Sequence, residues 1–132
     1  MRNSDVIVPG NRDIFLKRRN LLCEQLEQIP GFKVYHPSGG MFALVNISAF
    51  GCDGEIFANR LLDATGVSVV PGFAFGESVV NCVRIGFCQE IELLQELHIE
   101  WQNLPGTIYP SLEDALECFN RLDHNRFGQY LR

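Results

Sequence analysis

An arginine stands inside an apolar run that has the length of a β-strand, at residues 81–87. Because successive side chains of a strand point to opposite faces, Arg84 shares its face with two small residues, while bulky apolar residues occupy the other face. The small residues are Cys82 and Gly86, and the bulky ones are Val83, Ile85 and Phe87. A glycine-rich turn at residues 71–76 precedes the run. The sequence therefore predicts a strand with one apolar face and, on the other, a cation with open space in front of it.

The charge of Arg84 needs a counterpart. A guanidinium removed from water loses its hydration, and only an anionic partner compensates this loss. One such partner is a carboxylate ligand, because the planar fork of a guanidinium beside a gap matches two carboxylate oxygens. The other is an acidic side chain of the protein, with Glu77 as a candidate, since structural ion pairs also occur in such settings. The residues of this run alone leave both interpretations open.

The bulk properties of the chain limit its class. It has 132 residues, which is enough for one domain with a hydrophobic core. Its net charge is −5 and it has no large basic patch, so nucleic-acid binding is not expected. No apolar stretch is long enough to span a bilayer, and the N-terminus does not read as a signal peptide, so no membrane association is expected. Five scattered cysteines without a Cys-x-x-Cys pair favour reduced thiols in the cytoplasm and argue against a metal site.

Hydrophobic spacing and turn signals predict seven elements in the order αββαββα. Pro30 and Gly31 end the first helix, Asp53 caps the second, and Gly66 ends it. The predicted helices are residues 13–28, 54–65 and 91–103, and the predicted strands are residues 32–35, 41–47, 67–70 and the Arg84 run. This order predicts an α+β fold in which helices cover a small mixed sheet.

Three blocks of sequence stand out by their order and spacing. Residues 22–45 contain Ile-Pro-Gly-Phe followed by Pro-Ser-Gly-Gly-Met-Phe, residues 57–76 follow, and residues 83–87 read Val-Arg-Ile-Gly-Phe. With these blocks, residues 18–102 resemble the small C-terminal domain of a fold-type I, pyridoxal phosphate-dependent aminotransferase of the aspartate aminotransferase superfamily, class I and II. The resemblance implies a small domain at residues 1–104. Residues 105–132 exceed it, and their stripe of Leu112, Leu116 and Phe119 predicts an extra C-terminal helix.

The resemblance implies roles for two residues. The arginine of this strand binds the α-carboxylate of the substrate in a bidentate pair in such enzymes, which assigns that role to Arg84. The residue that matches Phe42 lines the substrate side of the active site in many relatives, although an aromatic residue of the strand core is an equally good interpretation. The reaction implied for a full-length parent is amino-group transfer between an amino acid and a 2-oxo acid, with pyridoxal phosphate as the electron sink.

The cofactor-binding part of such an enzyme is not recognisable in this chain. A lysine of the large domain holds the cofactor as a Schiff base, but the two lysines here, Lys17 and Lys33, lack the Ser-x-x-Lys setting of that residue. We therefore expect a fragment of an enzyme of amino-acid metabolism, with no catalytic residue and no cofactor of its own. Its expected partners are a substrate carboxylate, the missing large domain and a second copy. The alternative is a stand-alone, non-catalytic module that binds carboxylates or forms dimers.

Overall fold

A computed structural model describes residues 4–101 of the chain. Within this range the order of elements is αββαββα, and the predicted α+β class is confirmed. The helices are α1 (Ser4–Glu27), α2 (Gly54–Thr65) and α3 (Ile91–Trp101), and the strands are β1 (Lys33–Tyr35), β2 (Phe42–Asn46), β3 (Val70–Pro71) and β4 (Cys82–Gly86). The helix predicted within residues 105–132 and the domain boundary after residue 104 lie outside the described residues.

The four strands form one sheet in the order β1-β2-β4-β3. All three pairings are antiparallel, which differs from the mixed sheet that the sequence led us to expect. For two of the three pairings, β1 with β2 and β3 with β4, the reason is the length of the connections. The chain reverses direction within a few residues between β1 and β2, and again through the glycine-rich turn between β3 and β4, and such short connections join antiparallel neighbours.

Helices cover one face of the sheet. The side chains of Ala43 and Val45 on β2, and of Val83 and Ile85 on β4, belong to the same buried cluster as residues of all three helices. At one end of this core, four aromatic rings pack with centroids 5.1 to 6.2 Å apart: Phe32, Phe50, Phe57 and Trp101. The opposite face of the sheet is open, and it carries Arg84.

Two arginines of α1 hold the loops that flank the central strands. Arg18 donates a hydrogen bond of 3.0 Å to the carbonyl oxygen of Cys88 and forms an ion pair of 2.8 Å with Glu90, directly after β4. Arg19 donates to the carbonyl oxygen of Pro37 at 3.2 Å, in the turn before β2. Because both arginines start from the same helix turn, they fix the ends of β2 and β4 relative to each other.

The boundaries of α2 match the predicted ones. The Asp53 carboxylate accepts hydrogen bonds from the backbone N–H groups of Glu55 and Ile56, at 3.0 and 2.9 Å. At the other end Gly66 has a left-handed φ of 73°, and its N–H donates to the carbonyl oxygen of Leu62. This pair of caps explains why the sequence located the helix well.

Removal of the Asp53 cap should destabilise the fold. Asp53 is only 2% exposed, and Asp53→Ala removes the acceptor of two N–H groups in the first turn of α2. We expect a loss of about 2 kcal/mol in the free energy of unfolding, at the upper end of the usual range for caps. Urea unfolding followed by far-UV circular dichroism measures it. Asp63→Ala, at an exposed position of the same helix, is the matched control and should change stability by less than about 0.5 kcal/mol.

The other elements differ from the predictions at their ends. Helix α1 begins at Ser4 and runs through Pro9, well before the predicted start at residue 13. Residues 5–14 are all exposed, so no packed apolar stripe marks this part of the helix in the sequence. Strand β3 consists of Val70 and Pro71 and so contains only the last residue of the predicted run 67–70, because only these two residues pair with β4.

Candidate functional site

Arg84 lies at the centre of the open face of the sheet. Its position in β4 is paired with Leu44 of β2 on one side and with Val70 of β3 on the other. Its neighbours in sequence, Val83 and Ile85, are buried in the core on the helix-covered face. The predicted alternation of side chains along this strand is therefore confirmed.

Two aromatic rings contact the Arg84 guanidinium. Its Cζ atom lies 4.1 Å from the ring centroid of Phe42 and 4.4 Å from that of Phe75. Phe42 is the first residue of β2, and Phe75 ends the short 3₁₀ helix Gly72–Phe75 between β3 and β4. The two rings are 41% and 50% exposed, so neither is a core aromatic. The contacts have the geometry of cation–π interactions, which attract a cation without neutralising it.

Among the side chains that the structure describes, those of residues 4–97 and of residue 101, no acidic one forms an ion pair with Arg84 within 4.0 Å. Glu77, the candidate from the sequence, is exposed. The Nε atom of Arg84 is buried and has no hydrogen-bond partner among these residues. The interpretation of Arg84 as half of an internal ion pair therefore finds no support in the part of the chain that is described.

Glycine determines the path of the segment that carries Phe75. A Cβ atom at Gly72 would lie 1.9 Å from the carbonyl oxygen of Val79 and 2.7 Å from that of Cys82. The backbone at Gly72 thus packs directly against the start of β4, at a distance that only glycine permits. This close approach places the 3₁₀ helix beside β4, with Phe75 over Arg84.

A cavity beside the sheet is lined by Phe42 but not by Arg84. It has a volume of about 550 Å³ and lies between α3 and the edge of the sheet, and its other lining residues include Gly86, Cys88, Leu93 and Leu97. The guanidinium lies instead on the face of the sheet that the helices leave uncovered.

Phe75 was missed as a site residue by sequence reasoning. The sequence placed it in the glycine-rich turn and gave the turn only the task of leading into the Arg84 strand. The signal available was the pattern Phe-Ala-Phe within that turn, but a pattern of this kind does not say which ring faces the arginine. Phe42 and Arg84, which the sequence singled out, are brought into contact by the pairing of β2 with β4.

The described residues offer neither a metal-binding cluster nor a membrane-spanning helix. Among the side chains of residues 4–97, no group of three or more histidine, cysteine, aspartate and glutamate residues is placed to hold a metal ion. None of the helices within residues 4–101 combines the length and the apolar character that a membrane span needs.

The chain matches a known protein family over most of its length. The family model described as aminotransferase class I and II matches residues 2–98. The arginine–pyruvate transaminase of Pseudomonas aeruginosa is 42% identical over 85 residues, which cover 64% of this chain and 22% of that protein. An aspartate aminotransferase of Pyrococcus horikoshii is 38% identical over 80 residues, which cover 61% of this chain and 20% of the relative.

Solved structures show the same similarity in three dimensions. The crystal structure of an aromatic aminotransferase from Pyrococcus horikoshii superposes with a TM-score of 0.74 at 27% identity, covering 79% of this chain and 28% of that one. The aspartate aminotransferase of Thermus thermophilus with maleate gives a TM-score of 0.70 at 32% identity, covering 78% and 26%. The chain spans between a fifth and a quarter of the length of these two curated relatives, at 22% and 20%.

Proposed function

Since this chain belongs to the aminotransferases of class I and II, we propose that it forms the part of such an enzyme that binds the substrate carboxylate, with Arg84 as the binding residue. The observation that carries the proposal is the state of the Arg84 guanidinium. It is presented on an open face, two aromatic rings contact it, and no acidic side chain among residues 4–97 pairs with it.

An arginine in this state favours an anionic ligand. Its charge is partly removed from water, yet no described carboxylate competes for its N–H groups, so a ligand carboxylate meets an uncompensated cation. The planar fork can donate two parallel hydrogen bonds to the two carboxylate oxygens. Amino acids and 2-oxo acids share this group, and it stays chemically unchanged while the amino group is transferred. One arginine can therefore bind both the substrate and the product of a transamination.

The described residues do not fit a covalent site for pyridoxal phosphate, the cofactor that the family implies for full-length relatives. Lys17 lies exposed on α1. Lys33 is exposed on β1, and its Nζ atom lies 5.8 Å from the ring centroid of Tyr35. A lysine that forms a Schiff base is usually desolvated, and neither exposed position offers such a setting. The function proposed for this chain is therefore confined to carboxylate binding, in a parent that supplies the cofactor.

The open face of the sheet suggests what this part binds besides substrate. Apolar side chains on the same face as Arg84 remain exposed, namely Tyr35, Phe42 and Val70, and Phe75 lies exposed beside them. We propose that the large domain of the enzyme covers this face, because it would then enclose the substrate between itself and Arg84. A second copy of the chain is the alternative, and it corresponds to a dimerisation module without catalysis.

Titration of the chain with pyruvate tests the carboxylate site. Arg84→Lys keeps the positive charge and loses the bidentate fork, so it should weaken pyruvate binding about tenfold or more. The measurement is the change in backbone amide chemical shifts near residues 42 and 84 as pyruvate is raised to about 100 mM at constant ionic strength, a range suited to weak binding.

A matched control separates specific binding from general attraction to positive charge. Lys33 is exposed, and the β-pairings place it on the same face of the sheet as Arg84. Lys33→Gln removes one full charge and should leave the pyruvate affinity within about twofold, since exposed charges interact weakly. Equal affinities of wild type and Arg84→Lys would refute the carboxylate role. A stable dimer that ignores pyruvate would favour the alternative, a dimerisation module.

A further inference from the structure

The two rings that contact Arg84 come from opposite sides of its strand. In the sheet, β4 lies between β2, which carries Phe42, and β3, after which the chain turns to Phe75. Each ring centroid lies within 4.4 Å of the same guanidinium carbon, yet the two rings make no contact with each other. The rings therefore lie on different sides of the guanidinium.

We infer that Phe75 is a positioning residue, which together with Phe42 forms an aromatic clamp on Arg84 and presents the outer edge of its guanidinium to the ligand. The inference rests on the proposed carboxylate function and adds a residue and a geometry to it. The aromatic clamp consists of the rings of Phe42 and Phe75 and of nothing else.

The state of each guanidinium nitrogen supports an edge-on geometry. Nε is buried and unpartnered, so a ligand cannot reach it without displacing protein. The two terminal nitrogens, Nη1 and Nη2, are not among the buried unpartnered atoms, and no hydrogen bond to residues 4–97 uses them. With a ring on each of two sides of the guanidinium and Nε enclosed, the terminal nitrogens are the part of the cation left for a carboxylate. Two parallel N–H donors at this edge match a carboxylate that lies in the guanidinium plane.

An aromatic clamp achieves what an acidic partner could not. A carboxylate of the protein would hold the arginine through the same N–H groups that the ligand needs, and it would cancel the charge. A ring attracts the cation through its quadrupole and contacts only the face of the guanidinium, which leaves the in-plane donors available. The long side chain of arginine otherwise loses considerable rotamer entropy when it binds a ligand, and the clamp removes part of that cost in advance.

The position of Phe75 is not explained by core packing. Its ring is 50% exposed, and it does not belong to the buried cluster or to the partly buried residues packed against it. Replacement of this ring should therefore leave the fold intact and change the position of the Arg84 side chain. A residue with a purely structural role would instead affect the stability of the fold.

The test is nuclear magnetic resonance of the Arg84 side chain in the ¹⁵N-labelled full chain. The Nε–H signal is assigned by its loss in Arg84→Lys. In the wild type it should be shifted upfield by the rings and protected from exchange with water, because Nε is buried. Phe75→Leu should move the signal towards that of free arginine and raise the dissociation constant for pyruvate about threefold, as expected for one cation–π contact at an exposed site.

Three variants complete the design. Phe75→Tyr retains an aromatic ring and should keep both the shifted signal and the affinity. Phe75→Trp, with the strongest quadrupole, should hold the signal at least as far upfield and keeps the test valid if the leucine variant does not fold. Phe73→Leu is the matched control, since Phe73 is an exposed phenylalanine of the same 3₁₀ helix whose ring does not stack on Arg84. It should change neither readout.

The outcomes separate this inference from the proposed function. If Phe75→Leu leaves the Nε–H signal and the pyruvate affinity at their wild-type values, the clamp is refuted even where pyruvate binds. If Phe73→Leu has the same effect as Phe75→Leu, the effect belongs to the turn as a whole, which also refutes it. If the rings shift the wild-type signal but pyruvate does not change it, carboxylate binding by Arg84 is refuted. The inference that the clamp presents Arg84 to a ligand is then refuted as well.

Discussion

Gly72→Ala is expected to destabilise the chain by about 3 kcal/mol or more, the upper range for overpacking, because the clash involves backbone atoms that cannot rotate away. The new methyl group would lie 1.9 Å from the carbonyl oxygen of Val79 and 2.7 Å from that of Cys82. Relief of the clash requires the 3₁₀ helix to move away from the start of β4. That movement also carries Phe75 away from Arg84, so the Arg84 Nε–H signal should lose its ring-induced shift in whatever fraction stays folded.

Urea unfolding followed by the fluorescence of the single tryptophan, Trp101, measures the change, since this side chain is buried in the folded chain. Gly39→Ala is the matched control. Gly39 lies in the turn between β1 and β2, no heavy atom lies within 4 Å of the Cβ that alanine would add, and its φ is not left-handed. This variant should change the free energy of unfolding by less than about 0.5 kcal/mol. Equal stabilities of the two variants would show that the close approach at Gly72 does not exist in solution.

Alkylation of the native chain should discriminate strongly between its thiols. Cys88 is exposed directly after β4, whereas Cys23, Cys52 and Cys82 are buried. Burial raises the pKa of the Cys82 thiol above its usual 9.0. It also raises the pKa of Cys23, where the charge of Arg19 opposes the shift and that of Glu27 adds to it. Since the thiolate is the reactive form, a buried thiol with a raised pKa reacts only after the fold opens locally.

We expect Cys88 to react with iodoacetamide at pH 8 at least about 100-fold faster than Cys23 and Cys82. Digestion and mass spectrometry of samples taken over time give the rate at each cysteine. The same reaction in urea is the control, and it should bring the rates together. Comparable native rates at Cys88 and Cys23 would contradict the packing of α1 on the sheet.

The raised thiol pKa values also determine how stability depends on pH. A buried thiol stays protonated in the folded chain at a pH where the unfolded chain already ionises. Ionisation therefore lowers the free energy of the unfolded state as the pH rises above the ordinary thiol pKa of 9.0. The free energy of unfolding falls there, so the folded chain becomes less stable. Below that value the two states bind the same proton, and these two thiols contribute no pH dependence.

The sequence was most informative where a local rule decides the structure. Strand alternation placed Arg84 on the face of the sheet opposite to Val83 and Ile85, because a shift of the strand by one residue would have exposed these two apolar side chains. Asp53 and Gly66 located the ends of α2, since each satisfies the backbone groups of its own helix end. The resemblance stated from three short blocks agrees with the family that residues 2–98 match.

The sequence was least informative where distant segments meet. The hydrogen bond from Arg18 to the carbonyl oxygen of Cys88 joins residues 70 positions apart, and nothing in the charged segment around Arg18 indicates its acceptor. The stacking of Phe75 on Arg84 depends on the path that Gly72 permits, which is a property of three-dimensional packing. The extent of β3 was overestimated for the same reason, because a β-branched run becomes a strand only where a neighbouring strand pairs with it.

Helix α1 consists of two parts that differ in what supports them. Leu22, Cys23 and Leu26 are buried against the sheet, whereas residues 5–14 have no side chain in the core and include Pro9, which cannot donate a helical hydrogen bond. A helical segment of about ten residues without tertiary support is only marginally stable in water. Amide protons of the supported part will exchange with solvent only when the domain unfolds, and those of the unsupported part at nearly the rate of a free peptide. We therefore expect the helical population of residues 5–14 to rise when a partner buries the exposed side chains of Val6, Ile7 and Val8.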